Sequence, residues 1–184
     1  IHIYFNRGDG TFALAMTLIP DANFNAFVTA LVDLNNDGWL DLFASSYGGS
    51  QYIFLNRAGQ YKNEQAILLA SNSGALTMAA AFADLDQDSD LDMVLGKWSH
   101  GIERHFRTHG ANNELWLNES GALEKFSLFD ADPPGSTLTI LLSDLNGDSI
   151  PDIVTGNDRQ VPDIFYFSEA ILEYAPSGSS IIAA

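Results

Sequence analysis

The chain has 184 residues, 24 acidic and 8 basic, with a net charge of −16 and a hydrophobic share of 46%. This is one domain of ordinary size with enough apolar side chain for a core, and its field repels nucleic acid and anionic membranes. The lack of cysteine excludes disulfide scaffolds, thiolate metal sites and cysteine nucleophiles, and no apolar run approaches the roughly 20 residues of a membrane-spanning helix.

The opening IHIYFNRGDGTF alternates apolar residues, turns at Asn6–Gly10 and resumes. That pattern predicts a hairpin. Arg7-Gly8-Asp9 is the tripeptide that integrins bind, but it aligns with NRAGQ at Asn56 and NESGA at Asn118, so its expected role is a turn. With neither an initiator Met nor a basic leader, this opening reads as the middle of a strand in a processed or partial chain.

Three stretches then repeat: ALVDLNNDGWLDLFAS from Ala30, AFADLDQDSDLDMVLG from Ala81 and LLSDLNGDSIPDIVTG from Leu141. Their first acids are Asp33, Asp84 and Asp144, spaced by 51 and 60 residues. Each is followed by an alternating strand ending at Asn56, Asn118 or Ser168, and the opening strand ending at Asn6 is the same element. Short strands, even turn signals and a period of this length predict an all-β fold, a β-propeller of four-stranded blades. The expected organisation is a blade remnant over 1–20, repeats over about 21–70, 71–130 and 131–170, and a tail or linker over 171–184. About three and a half blades fall short of a comfortable ring. A larger propeller is expected, completed by further residues of the protein or by another chain.

Each repeat carries a nine-residue loop with oxygen side chains at positions 1, 3, 5 and 9: Asp33, Asn35, Asp37, Asp41; Asp84, Asp86, Asp88, Asp92; Asp144, Asn146, Asp148, Asp152. Position 7 varies (Trp39, Asp90, Ile150), as a backbone-carbonyl ligand permits. This is the donor set of a hard cation. Calcium takes 6–8 oxygens, whereas magnesium wants a small octahedral site and zinc wants His or Cys. The first half of each loop matches an EF-hand, but position 12 is Ala44, Leu95 or Thr155 instead of Glu, so the loops are expected to join strands. Eleven of the 24 acids lie in them, so about three calcium ions would relieve much of the excess charge.

The D-x-[DN]-x-D-[GS]-x-x-D loops followed by N-x-x-G hairpins resemble the FG-GAP/VCBS repeats of integrin-α-like propellers. DLNGDSIPDIVTGND followed by PDIFYF is most similar to the cartilage-acidic-protein (ASPIC/UnbV-like) branch. The resemblance covers most of residues 1–170 and implies a calcium-bearing propeller. It does not imply an activity, because the scaffold hosts adhesion, lectin and lyase roles. Ser89 and Ser149 depart from the usual Gly and demand an unusual φ there, which would weaken the second and third sites.

The middle repeat is about ten residues longer, within GKWSHGIERHFRTHGANNE. This stretch concentrates Lys97, Arg104 and Arg107 with three of the four histidines, His100, His105 and His109, beside Trp98. Trp98, His100, Arg104, His105, Arg107 and His109 are therefore candidate contacts for an anionic partner, a glycan or a neighbouring subunit. No catalytic motif aligns Glu103, His105, His109 or Tyr47. The expected function is a non-enzymatic, calcium-stabilised module for protein or glycan interaction, extracellular, at the cell surface or periplasmic. The alternatives are a polysaccharide lyase or hydrolase, or a lectin using Trp39, Trp98 and Trp116.

Overall fold

The computed structural model describes residues 1–20, 22–47, 49–69, 75–100, 110–129, 135–157 and 164–166. Among them the chain forms thirteen strands, one 3-10 turn (Asn63–Gln65) and no α-helix. β1 (His2–Asn6) pairs with β2 (Phe12–Thr17). A four-stranded antiparallel sheet follows in sequential order: β3 (Ala26–Val32), β4 (Asp41–Ser46), β5 (Gln51–Phe54) and β6 (Ile67–Leu68). The next has the same order: β7 (Ala75–Ala83), β8 (Asp92–His100), β9 (Glu114–Glu119) and β10 (Ala122–Phe126). The last comprises β11 (Thr137–Ser143), β12 (Asp152–Asn157) and β13 (Ile164–Tyr166). These meandering sheets are propeller blades. The opening pair corresponds to the outer half of a blade, as its asparagine-terminated strand implies.

The core lies between blades. Strand residues alternate faces, so a blade with a neighbour on each side buries both. On β4, Phe43 packs toward the second full blade with Ile53, Met93, Leu95 and Trp116. Its neighbours Leu42 and Ala44 pack the other way, with Phe54 and Leu18. All six residues of β4 are buried in consequence, which is why its apolar residues Leu42, Phe43 and Ala44 follow one another without alternation. Val94, Leu115 and Leu117 of the second blade meet Ile153 of the third. Trp116 is core, so it offers no stacking platform; Trp39 is 46% exposed.

The leucine of each Asp-Leu pair explains the dipeptide. Leu34 and Leu85 are buried in the seams ahead of them. Leu145, at the same position in the third repeat, is 52% exposed.

The Arg7-Gly8-Asp9 segment is the β1–β2 turn. Arg7 N donates to Thr11 O at 2.9 Å, Gly8 N donates to Asn6 Oδ1 at 2.9 Å, and both glycines have positive φ. The Asp9 carboxylate accepts from Thr11 N and Oγ1 and is held below the usual carboxylate range by those bonds. The equivalent Asn56 and Asn118 accept from the amides of Gly59 and Gly121, three residues on. The recurring N-x-x-G thus pairs a side-chain acceptor with a glycine that adopts the left-handed turn conformation.

Candidate metal centre

Each acidic loop joins the first two strands of a blade: 33–41 between β3 and β4, 84–92 between β7 and β8, 144–152 between β11 and β12. No helix flanks them, so the departure from the EF-hand is structural. Inside each loop the carboxylates organise the backbone. Asp33, Asp84 and Asp144 accept the amide of position 6, from Gly38, Ser89 and Ser149, at 2.8, 3.0 and 2.9 Å. Position 3 accepts the amide of position 5, and position 5 that of position 7. These bonds turn the side chains inward on themselves within one short turn.

In the second loop they bring Asp84, Asp86 and Asp88 together, with one oxygen of each within 4.8 Å of the others. Oδ1 of Asp84 is buried and has no hydrogen-bond partner. A buried acceptor without a donor is costly, and three converging carboxylates repel. Burial, then repulsion from Asp88, pushes Asp86 up to about 6. A hard cation would satisfy the acceptor and remove the repulsion together.

The ninth-position acids have a second task. Asp41 gives one oxygen to Leu34 N (3.1 Å) and the other to Asn56 N (2.7 Å). Asp92 does the same with Leu85 N (2.7 Å) and Asn118 N (2.9 Å), and Asp152 takes Leu145 N (2.7 Å). All three are buried. Each locks the loop's start onto its end, Asp41 and Asp92 fasten the outer hairpin there as well, and a metal would use their remaining lone pairs. Burial raises Asp41 and takes Asp92 to about 7, against the pull of those amides.

Position 7 is where the sequence underspecified the site. Trp39 is exposed and Ile150 buried, neither offering a side-chain ligand. Asp90 turns its carboxylate out of its own loop: Oδ1 accepts Asn36 Nδ2 of the first loop at 2.6 Å, and Oδ2 accepts Ser120 N at 2.5 Å. An acid aligned to a position filled by Trp and Ile gave no sign of this role.

The serines at position 6 do adopt left-handed backbone, φ 77° at Ser89 and 71° at Ser149, against 85° at Gly38. A side chain there costs about 1–2 kcal/mol, less the entropy glycine forfeits on folding. Ser89→Gly and Ser149→Gly should each stabilise the protein by about 0.5–1 kcal/mol in denaturant melts, whereas Gly38→Ser should destabilise it by a similar amount.

Other candidates separate. Trp98 is half-buried on β8, at the far end of that strand from the acidic loop, and His100 ends the strand. Arg104, His105, Arg107 and His109, with Glu103, lie outside the described residues, as does Ser168. Lys97 leaves the basic patch altogether: it is fully buried and paired with Glu114 at 3.1 Å. Tyr47 stacks edge-on against Phe27. Asn118-Glu119-Ser120 matches the N-x-S pattern of a glycosylation acceptor, but the Asn118 side chain is buried with its amide donating to Leu34 O and Leu91 O, which leaves no room for a glycan.

Among the described residues no helix is long and apolar enough to cross a membrane. The chain is 30% identical over 145 residues to integrin alpha-3 of Cricetulus griseus, covering 70% of this chain and 13% of that protein. It is 27% identical over 139 residues to human integrin alpha-6, covering 70% and 12%. It is 25% identical over 170 residues to human cartilage acidic protein 1, covering 86% and 24%. The chain thus spans a quarter or less of the length of these relatives. The FG-GAP-like repeat model matches residues 1–44 and 33–95, taking in the first two acidic loops whole. With more than half of its length under that model and its strands arranged as blades, the chain belongs to the FG-GAP-like repeat family of β-propellers.

Proposed function

We propose that this is a calcium-binding extracellular propeller module whose loops brace the blades while exposed surfaces bind protein or glycan partners, without enzymatic activity. The buried, unpartnered Oδ1 of Asp84, a residue whose carboxylate clusters with those of Asp86 and Asp88, carries the reading. Asp33, Asn35, Asp37 and Asp41, and Asp144, Asn146, Asp148 and Asp152, would hold the other two ions, with the carbonyls of Trp39, Asp90 and Ile150 as seventh-position ligands. Bound calcium supplies charge neutralisation and oxygen cross-linking within each loop. Extracellular sites of this class bind at roughly 10⁻⁴–10⁻³ M, which favours the cell exterior, the cell surface or the periplasm. Equilibrium dialysis should find about three ions per chain, and Asp84→Asn with Asp88→Asn should remove one. No uptake at several millimolar calcium would overturn the proposal.

The domain division is part of the same reading: a remnant over 1–20, repeats over 21–70, 71–130 and 131–170, and a tail over 171–184, within a larger ring. Apolar faces at both ends of the arc support it. Tyr4, Phe12 and Leu14 share one face of the opening hairpin and are each more than half exposed. Leu141 and Leu145 are equally exposed on the third blade, where Leu31 of the first also lacks the cover of an inner half-blade. Further blades, from this protein or another chain, would cover such faces.

A further inference from the structure

We propose that the first two acidic loops take up their cations cooperatively, through a bridge from Asn36 to Asp90 backed by the β9–β10 turn. The inference rests on the calcium reading and concerns how two of its sites communicate. Asn36 sits between the third- and fifth-position ligands of the first loop, in left-handed backbone at φ 54°. Its side-chain amide leaves that loop and donates to Asp90 Oδ1 at 2.6 Å and, more weakly, to Ser89 O at 3.4 Å. Asp90 is the residue whose carbonyl would bind the second ion, and its carboxylate is also held by Ser120 N.

A second strut runs parallel to the first. Asn118 Nδ2 donates to Leu34 O of the first loop at 2.8 Å and to Leu91 O of the second at 3.1 Å, while Asn118 N holds Asp92. Gly121, in the same turn, lies so close to the first loop that a Cβ there would sit 3.3 Å from Asn35 Cβ. One turn of the second blade therefore touches positions 2 and 3 of one loop and positions 7, 8 and 9 of the other.

A cation that fixes Asp90's backbone also fixes the carboxylate that anchors Asn36, and so positions Asn35 and Asp37 on either side of it. The reverse holds equally, because a coupling free energy is reciprocal. Electrostatics opposes the effect: loading takes the second loop from five negative charges to a net three, making the field at the first loop less attractive. At about 0.15 M salt the screening length is roughly 8 Å, which weakens that long-range term. Short hydrogen bonds to a buried carboxylate are screened far less, so the mechanical coupling wins. A rise of roughly five- to tenfold in affinity lies within the usual range for coupled sites.

Trp39 makes the first loop readable. It occupies position 7 there, whereas Asp90 and Ile150 occupy it in the others, so terbium luminescence excited through Trp39 reports the first loop, and Trp39→Phe should remove it. Calorimetry with calcium on the same proteins gives the affinities independently. Asp84→Asn with Asp88→Asn should raise the first loop's half-saturating concentration roughly five- to tenfold. Asp33→Asn with Asp37→Asn should weaken the second loop by the same factor. Asn36→Gly keeps the positive φ, deletes the bridge, and should reproduce the weakening while abolishing any further effect of the second-loop changes. If the second-loop changes leave the first loop's affinity unaltered, or strengthen it, or if the Asn36→Gly effect is simply additive with theirs, the coupling is refuted with the calcium reading intact. If wild-type protein takes up neither ion, both fall.

Discussion

Restoring about 10 mM calcium to metal-stripped protein at pH 7.5 should stabilise it by about 4–8 kcal/mol. A site whose dissociation constant in the loaded protein is about 10⁻⁴–10⁻³ M then lies roughly 10–100 times below the calcium concentration, contributing about 1.4–2.7 kcal/mol, and three sites give about three times that before the coupling between the first two is counted. For a chain of this size that is a rise in Tm of about 10–25 °C. The dependence on pH should reverse with the metal. Without it, burial and neighbouring carboxylates raise Asp86 to about 6 and Asp92 to about 7, against about 3.9 in the unfolded chain. The folded state then binds more protons than the unfolded between these limits, so these two groups stabilise the metal-free protein most at or below about pH 4, and that contribution is lost as pH rises toward 7. Calcium displaces those protons, so its stabilisation should grow over the same interval. Melting resin-stripped protein from pH 5 to 8, with and without calcium, checks both slopes. Superimposable curves would contradict the role assigned to the loops.

Glu114→Ala should cost about 3–5 kcal/mol, the usual penalty for removing one partner of a buried pair, or about 10 °C or more in Tm. Glu114 and Lys97 are 1% and 0% exposed, with Nζ 3.1 Å from Oε2. Lys97 also donates to Thr77 Oγ1 at 3.0 Å, and Gln51 of the preceding blade donates to the same hydroxyl at 3.1 Å. The network thus lies in the seam between the first two full blades. Burial pushes Lys97 below its ordinary value, and Glu114 opposes that shift. Without Glu114 the ammonium is disfavoured further. A lysine with a depressed native pKa loses stability as pH falls, so the deficit of the variant should narrow toward pH 10 and widen at neutrality. Lys125, 3.6 Å from the other Glu114 oxygen, is 38% exposed, and Lys125→Ala should change stability by about 0.5 kcal/mol or less. Glu114→Leu with Lys97→Met should recover most of the loss. A Glu114→Ala protein melting with the wild type would show the pair to be inconsequential.

Gln51 Oε1, in the same seam, is buried with no hydrogen-bond partner. Its cost falls on the interface that the ion pair organises, so the blade seam carries a polar defect as well as an apolar core.

What could be read from residue order was local. Asn56 and Asn118 bond amides three residues away, and the residues at positions 1, 3 and 5 of each loop accept amides only two to five residues on, so repeating the pattern repeats the geometry. Blades, hairpin turns and converging carboxylates were legible for that reason, and the Arg7-Gly8-Asp9 turn with them. Contacts between blades left no comparable trace. Leu34 O and Asn118 meet across 84 positions and Asn36 and Asp90 across 54, and nothing in either stretch names its counterpart. The fates of Lys97, moved from a basic patch to a buried ion pair, and of Asp90, moved from spectator to bridge, were settled by packing one sheet face against the next. Local chemistry repeats along a chain, whereas the partner a side chain meets depends on which distant segment the fold sets beside it.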